Sequence, residues 1–263
     1  MIESANIPLA FLLTTIAGLS TGIGGLIVFI IKKPKLRFLS PLLGFAAGVM
    51  IYVSLVELLL ESIEGIGFLQ ANSSFFIGII FMFILDRFVP HLHINRKIER
   101  FQKDKIPTFD NKTEKRLKEA SILTLIGITL HNFPEGVAVF SISLLDISLG
   151  IPIAIAIAVH NIPEGIAVAV PIFYSTKSRK KGFFYAFLSG LAEPMGALLG
   201  FLFLYPFLTE GVLNGALAFV GGIMVFISFD ELLPIARDYG NEHTANLGLF
   251  LGMFVMMFTL VFL

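Results

Sequence analysis

Apolar positions along this chain gather into eight long runs, roughly 7–31, 39–64, 71–90, 120–145, 150–174, 182–206, 212–235 and 244–263, with polar connections between them. A helix needs about 20 mostly apolar residues to cross a bilayer, so each run predicts one spanning helix. The fold class is therefore an all-α polytopic membrane protein, with 1–263 forming a single transmembrane domain. Pro8, Pro41 and Pro152 fall near the starts of their runs, where a missing N–H costs little. The one long connection, 91–119, is polar and basic and predicts a partly disordered loop.

Composition strengthens that picture. Hydrophobic residues make up 56% of the 263 and charged residues 14%, against about 25% charged in an average soluble domain. There is no cysteine, which excludes disulfides and thiolate metal ligands. The 19 basic and 19 acidic residues cancel, so no global field would attract nucleic acid. The start of the chain lacks a charged n-region and small-residue cleavage site, and its first run reads as a retained helix.

Where the basic residues fall gives the orientation. Lys32, Lys33, Lys35 and Arg37 follow run 1, ten Lys and Arg lie between Arg87 and Lys118, four between Lys177 and Lys181, and Arg237 follows run 7. Alternate connections thus hold all of them, and the positive-inside rule places 91–119 in the cytoplasm and both termini outside.

Internal repeats add a second level of order. Residues 45–60, FAAGVMIYVSLVELLL, align without gaps on 219–234, FVGGIMVFISFDELLP, with Gly48 on Gly222, Ser54 on Ser228 and Glu57 on Glu231. A weaker match pairs LSTGIGG at 19–25 with LAEPMGA at 191–197. The pattern HN-x-PEG occurs at 131–136 and again 29 residues later at 160–165. Each pair lies on helices that cross in opposite directions. The expected arrangement is 3+2+3, with helices 1–3 an inverted copy of 6–8 and helix 4 of helix 5, an architecture that many secondary transporters share.

The HN-x-PEG motifs carry the chemistry. On a helix, His131, Asn132 and Glu135 share one face, as do His160, Asn161 and Glu164, and both sets fall near mid-span. An ionisable residue there costs about 2.5–3.5 kcal/mol on insertion scales and marks function by default. Pro134 and Pro163 cannot donate to the carbonyls of Leu130 and Val159, which predicts opened helices with freed oxygens beside the histidines. Glu193 adds a third mid-span carboxylate, and no Lys or Arg in these spans pairs with the acids. A cation must supply the missing charge, unless the acids are protonated. Imidazole, carboxylate and amide oxygens without sulfur suit Zn²⁺, Fe²⁺, Mn²⁺ and similar ions. Two His and two Glu could form one site, and two Asn, the shared Glu pair and Glu193 an adjacent one. A purely structural role, with His and Asn bonding between helices, is less compatible with two identically spaced copies.

The other polar residues say less. Glu57, toward the outer end of helix 2, and Asp230 and Glu231, toward the inner end of helix 7, are candidate way-stations where an ion arrives and leaves. Glu61 and Glu64 read as surface acids at the outer mouth. His91 and His93 open the cytoplasmic loop, and His243 stands apart from any polar constellation.

Taken together, HNFPEG at 131–136, HNIPEG at 160–165, SGLAEPMGA at 189–197 and GGIMVFISFDELLPIAR at 221–237 resemble the ZIP family of zinc- and iron-regulated-transporter-like proteins, most of all its bacterial, ZupT-like branch. The likeness runs through essentially the whole chain. It implies a multi-pass protein of the bacterial inner membrane that takes up divalent metal into the cytosol: zinc, with iron, manganese, cobalt or cadmium as further cargo. The ions are substrate, and no cofactor is expected. Carried over by position, one metal would be held by His131, Glu135, His160 and Glu164, and the other by Asn132, Glu135, Asn161, Glu164 and Glu193. The resemblance also implies homodimers and an elevator-like motion of helices 1, 4, 5 and 6 against 2, 3, 7 and 8. The loop at 91–119 lacks the histidine-rich form of many relatives. Two other functions compete: an intramembrane metal-dependent hydrolase, which would need an open coordination position and a base and has no HExxH here, and a cation or proton channel using the acids as a relay.

Overall fold

A computed structural model describes residues 6–30, 36–87, 111–204 and 209–262. Among the described residues every regular element is helical, and eight helices are long and apolar enough to cross a membrane: α1 (Ile7–Ile30), α2 (Leu39–Ile66), α3 (Phe68–Leu85), α4 (apolar over Thr124–Leu145), α5 (Ile147–Thr176), α6 (Arg179–Phe203), α7 (Glu210–Tyr239) and α8 (Glu242–Val261). The count matches the eight apolar runs. In a bilayer only helices and closed barrels satisfy every backbone N–H and C=O internally, and apolar runs of this length supply the helices.

Two expectations need correction. The helix that contains α4 begins at Asn111, so the last nine residues assigned to the 91–119 loop are helical. Their Glu, Lys, Arg and Leu are good helix formers, which a hydropathy criterion does not register. His91 and His93 lie outside the described residues. Pro134 and Pro163 were expected to open their helices, yet the backbone stays helical through both. Each proline removes one bond from a helix of 35 or 30 residues, and the flanking turns hold it.

Burial separates centre from periphery. Of α5's apolar window 72% is buried, against 22% for α3 and for α8, so α5 runs through the middle and α3 and α8 turn apolar side chains such as Phe76, Ile80, Leu251 and Phe254 outward. Two groups of helices emerge from the packing. α1 packs on α5 and α6, and α4 on α5 and α6; α2 packs on α8, and α3 on α7. The groups meet where α4 packs on α7 and α5 on α2. Small residues allow the tightest crossings, as in many membrane bundles. A Cβ on Gly48 would strike the backbone of Leu249 in α8, and one on Gly222 the backbone of Phe75 in α3.

Two helices are locally widened. α2 takes a π-type turn at Ser54–Leu58 and α7 another at Ser228–Leu232. Such turns insert an extra residue and often accompany function. Glu57 sits in the first, Asp230 and Glu231 in the second.

Candidate metal centre

Six polar side chains from three helices converge where α4, α5 and α6 meet. Asn132 and Glu135 come from α4, His160, Asn161 and Glu164 from α5 and Glu193 from α6, and all six are fully buried. Glycines let the helices close around them: a Cβ on Gly136, beside Glu135, would run into the backbone of Glu193, and one on Gly165, beside Glu164, into that of Thr21 in α1.

Glu135, His160 and Glu164 each offer a ligand atom within 4.8 Å of the other two. His160 Nε2 lies 3.0 Å from Glu135 Oε1. On its other edge His160 Nδ1 lies 3.2 Å from the carbonyl of Ala156. With its proton on Nδ1, donated to that carbonyl, the ring turns the Nε2 lone pair toward the carboxylate, the orientation that metal-ligating histidines adopt. A lone pair and a carboxylate oxygen both accept. Something positive belongs between them, either a proton or a metal ion. Glu193 lies within electrostatic reach of both Glu135 and Glu164, and from Ser121 to Thr176 and from Gly182 to Phe203 the sequence holds no Lys or Arg.

The two asparagines are oriented by their amide nitrogens. Asn132 Nδ2 donates to the Ser189 carbonyl at 3.1 Å, with the Ser189 hydroxyl at 3.5 Å. Asn161 Nδ2 donates to the Ala17 carbonyl at 2.9 Å and to Glu193 Oε1. This leaves Asn132 Oδ1, Asn161 Oδ1, Glu135 Oε2 and Glu193 Oε2 buried with no hydrogen-bond partner. A buried acceptor left in that state costs about 1–3 kcal/mol and calls for an explanation. Oxygens of this kind beside an imidazole make a donor set suited to a hard or borderline divalent cation.

The site residues expected from sequence divide as follows. Asn132, Glu135, His160, Asn161, Glu164 and Glu193 gather here. His131 lies on α4 in the turn before Glu135, and its side chain is outside the described residues. Glu57, Asp230 and Glu231 lie apart from the cluster: Glu57 is within electrostatic reach of Glu61 and Glu64, Asp230 is exposed, and Glu231 Oε2 rests where a Cβ on Gly127 of α4 would stand. His243 is exposed in the first turn of α8. Sequence reasoning missed the anchors, Ser189 and the Ala17 carbonyl. A backbone carbonyl leaves no mark in a sequence, whereas Ser189 opens the quoted motif SGLAEPMGA.

This geometry agrees with what the chain is similar to. A model of the family described as ZIP Zinc transporter matches residues 5–260. The chain belongs to the ZIP zinc transporter family. It is 48% identical to the zinc transporter ZupT of Chlorobium phaeovibrioides over 97% of each chain, 46% identical to that of Clostridium perfringens over 97% of this chain and 96% of the relative, and 44% identical to that of Nitratidesulfovibrio vulgaris over 99% of each. The ZIP protein described here is accordingly a multi-pass membrane transporter of divalent metal ions and not an enzyme. The hydrolase alternative falls with that assignment.

Proposed function

We propose that this ZIP protein carries zinc into the cytosol, and Fe²⁺, Mn²⁺, Co²⁺ or Cd²⁺ as alternative cargo, through a mid-membrane site formed by His131, Asn132, Glu135, His160, Asn161, Glu164 and Glu193. One observation carries this reading: Glu135, His160 and Glu164 bring ligand atoms within 4.8 Å of one another in full burial, without a basic residue in those parts of the chain. An incoming ion trades its hydration shell for imidazole and carboxylate, and neutral Asn oxygens in place of further charges keep release affordable. The unpartnered oxygens of Glu135, Glu193 and both asparagines support two adjacent ions sharing the Glu pair.

The 3+2+3 inverted repeat is supported by matched detail. The widened turns occupy aligned positions in α2 and α7, and Gly48 meets α8 as its counterpart Gly222 meets α3. Asn132 binds a carbonyl of α6 as Asn161 binds one of α1. The two packing groups are those that an elevator motion would move against each other. Glu57, backed by Glu61 and Glu64, serves as the outer way-station, and Asp230 and Glu231 as the inner one. The distribution of Lys and Arg supports a cytoplasmic 91–119 loop and outward termini in a bacterial inner membrane, and homodimerisation is read from the family resemblance.

Zinc uptake into proteoliposomes tests the reading. Glu164→Gln removes one buried charge facing the ion, a loss of about 2 kcal/mol or more, so the apparent KM should rise roughly thirtyfold or uptake should vanish. Saturable uptake at full strength in that variant, or in Glu135→Gln, would sink the proposed site and favour a channel.

A further inference from the structure

We propose that the Thr21 hydroxyl is a further binding group for the transported cation, the neutral counterpart on α1 of the Glu193 carboxylate on α6. The inference rests on the site proposed above and adds a residue and a charge pattern to it.

The first observation is a threonine that breaks the local rule. Helical threonines usually return their hydroxyl to the carbonyl four residues earlier, and Thr14, Thr15, Thr129, Thr176 and Thr259 all do so, at 2.7–3.0 Å. Thr21 is fully buried and its hydroxyl has no partner. The cause is visible. The carbonyl it would use, that of Ala17, already accepts from Ser20 Oγ at 2.6 Å and from Asn161 Nδ2 at 2.9 Å. The asparagine that orients the site has taken the partner of the threonine.

The second observation is position. Thr21 Cβ stands 3.0 Å from where a Cβ on Gly190 would be, next to Ser189, whose carbonyl and hydroxyl hold Asn132. Glu193 Cβ stands 3.1 Å from where a Cβ on Gly18 would be, next to Ala17, whose carbonyl holds Asn161. The two constructions correspond residue for residue, and the sequence match of LSTGIGG with LAEPMGA pairs Thr21 with Glu193. Glu193 reaches the Asn161 amide; Thr21, its counterpart in the repeat, packs against Gly190, the residue after the Ser189 that holds Asn132. The Thr21 hydroxyl and Asn132 Oδ1 are both buried oxygens that lack partners.

The chemical consequence is an asymmetric cage. Glu135, Glu164 and Glu193 contribute three carboxylates, while Thr21 with Asn132 contributes neutral oxygens that accept a coordinate bond or hold a water kept by the ion. A carboxylate at position 21 would complete a symmetric ring of four acids, which would hold a doubly charged ion too firmly to let it go. Thr21 is thereby a determinant of affinity and release.

The test uses the full-length protein in detergent for Zn²⁺ binding and in proteoliposomes for uptake. Thr21→Val keeps the shape and removes the hydroxyl. Losing a contact of that size should weaken Zn²⁺ binding about tenfold, and Thr21→Ser should restore it. Thr21→Glu should bind more tightly and transport more slowly, lowering KM and kcat together. If Thr21→Val fails to fold, Thr21→Ala is compared with Thr21→Ser, and equal affinities in that pair would overturn the proposal. Unchanged binding in Thr21→Val while Glu164→Gln abolishes it removes Thr21 and leaves the site standing. Unchanged binding in Glu164→Gln shows instead that the site itself was misread.

Discussion

At Asn161 one amide nitrogen ties three helices together: it projects from α5, meets the Ala17 carbonyl of α1 at 2.9 Å and donates to Glu193 of α6. Replacing it with aspartate keeps the shape and loses the donor. Asn161→Asp breaks the bonds from α5 to the Ala17 carbonyl and to Glu193 and sets a like charge beside Glu193. A lost hydrogen bond costs about 0.5–1.5 kcal/mol and the buried like charge adds to that, so the variant should unfold at a lower temperature than the unsubstituted protein in a thermal melt in detergent. An unchanged melting temperature would mean that the amide orientation does not hold these helices. The sequence made both asparagines legible as polar residues on the faces of Glu135 and Glu164, because spacing along a helix fixes a face. Which of the two amide atoms is left without a partner was not legible. That depends on carbonyls of other helices, brought close by glycines whose contacts are long-range.

The connection between α4 and α5 is a single residue, Asp146, which starts α5 by accepting from Ser148 N at 2.8 Å and from Ser148 Oγ at 2.7 Å. The side chain closes the first turn and satisfies a helix N–H that has no internal partner. Those hydrogen bonds from Ser148 hold the Asp146 carboxyl below its ordinary value of 3.8. A carboxylate favoured in the folded state stabilises it fully above the unfolded-state value, and that contribution fades as pH falls through the lower folded value. Asp146→Ala should cost about 1 kcal/mol at neutral pH. The gap between the two melting temperatures should persist down to pH near 4 and close in more acid solution. A gap that stays constant to pH 2 would argue against the cap. Hydropathy placed the start of α5 at 150 and the structure places it at Ile147, because Asp-Ile-Ser reads as a polar break and works as a cap. The widened turns at Ser54–Leu58 and Ser228–Leu232 were equally silent, since one extra residue in an apolar helix does not alter its average hydropathy. Only the alignment of Ser54 with Ser228 and of Glu57 with Glu231 marked those segments as related.

Across the whole molecule the charge pattern and the absence of cysteine combine into a direct experiment on orientation. Every Lys and Arg falls in the connections α1–α2, α3–α4, α5–α6 and α7–α8 or beside them, while α2–α3, α4–α5 and α6–α7 carry acids such as Glu64, Asp146 and Glu210. Basic residues resist translocation and acids contribute little, so the orientation proposed above puts the second set outside. A chain with no cysteine gives no background to a membrane-impermeant maleimide. Gln70→Cys, exposed near the start of α3, should be labelled in intact cells. Lys180→Cys and Glu242→Cys, exposed at the starts of α6 and α8, should be labelled only after the membrane is opened. The reverse pattern would invert the molecule, exchange the roles of Glu57 and Glu231, and turn uptake into export through the same buried cluster. Labelling of all three in intact cells would break the alternation on which eight crossings depend. The experiment thus bears on direction of transport without touching a residue of the candidate metal centre.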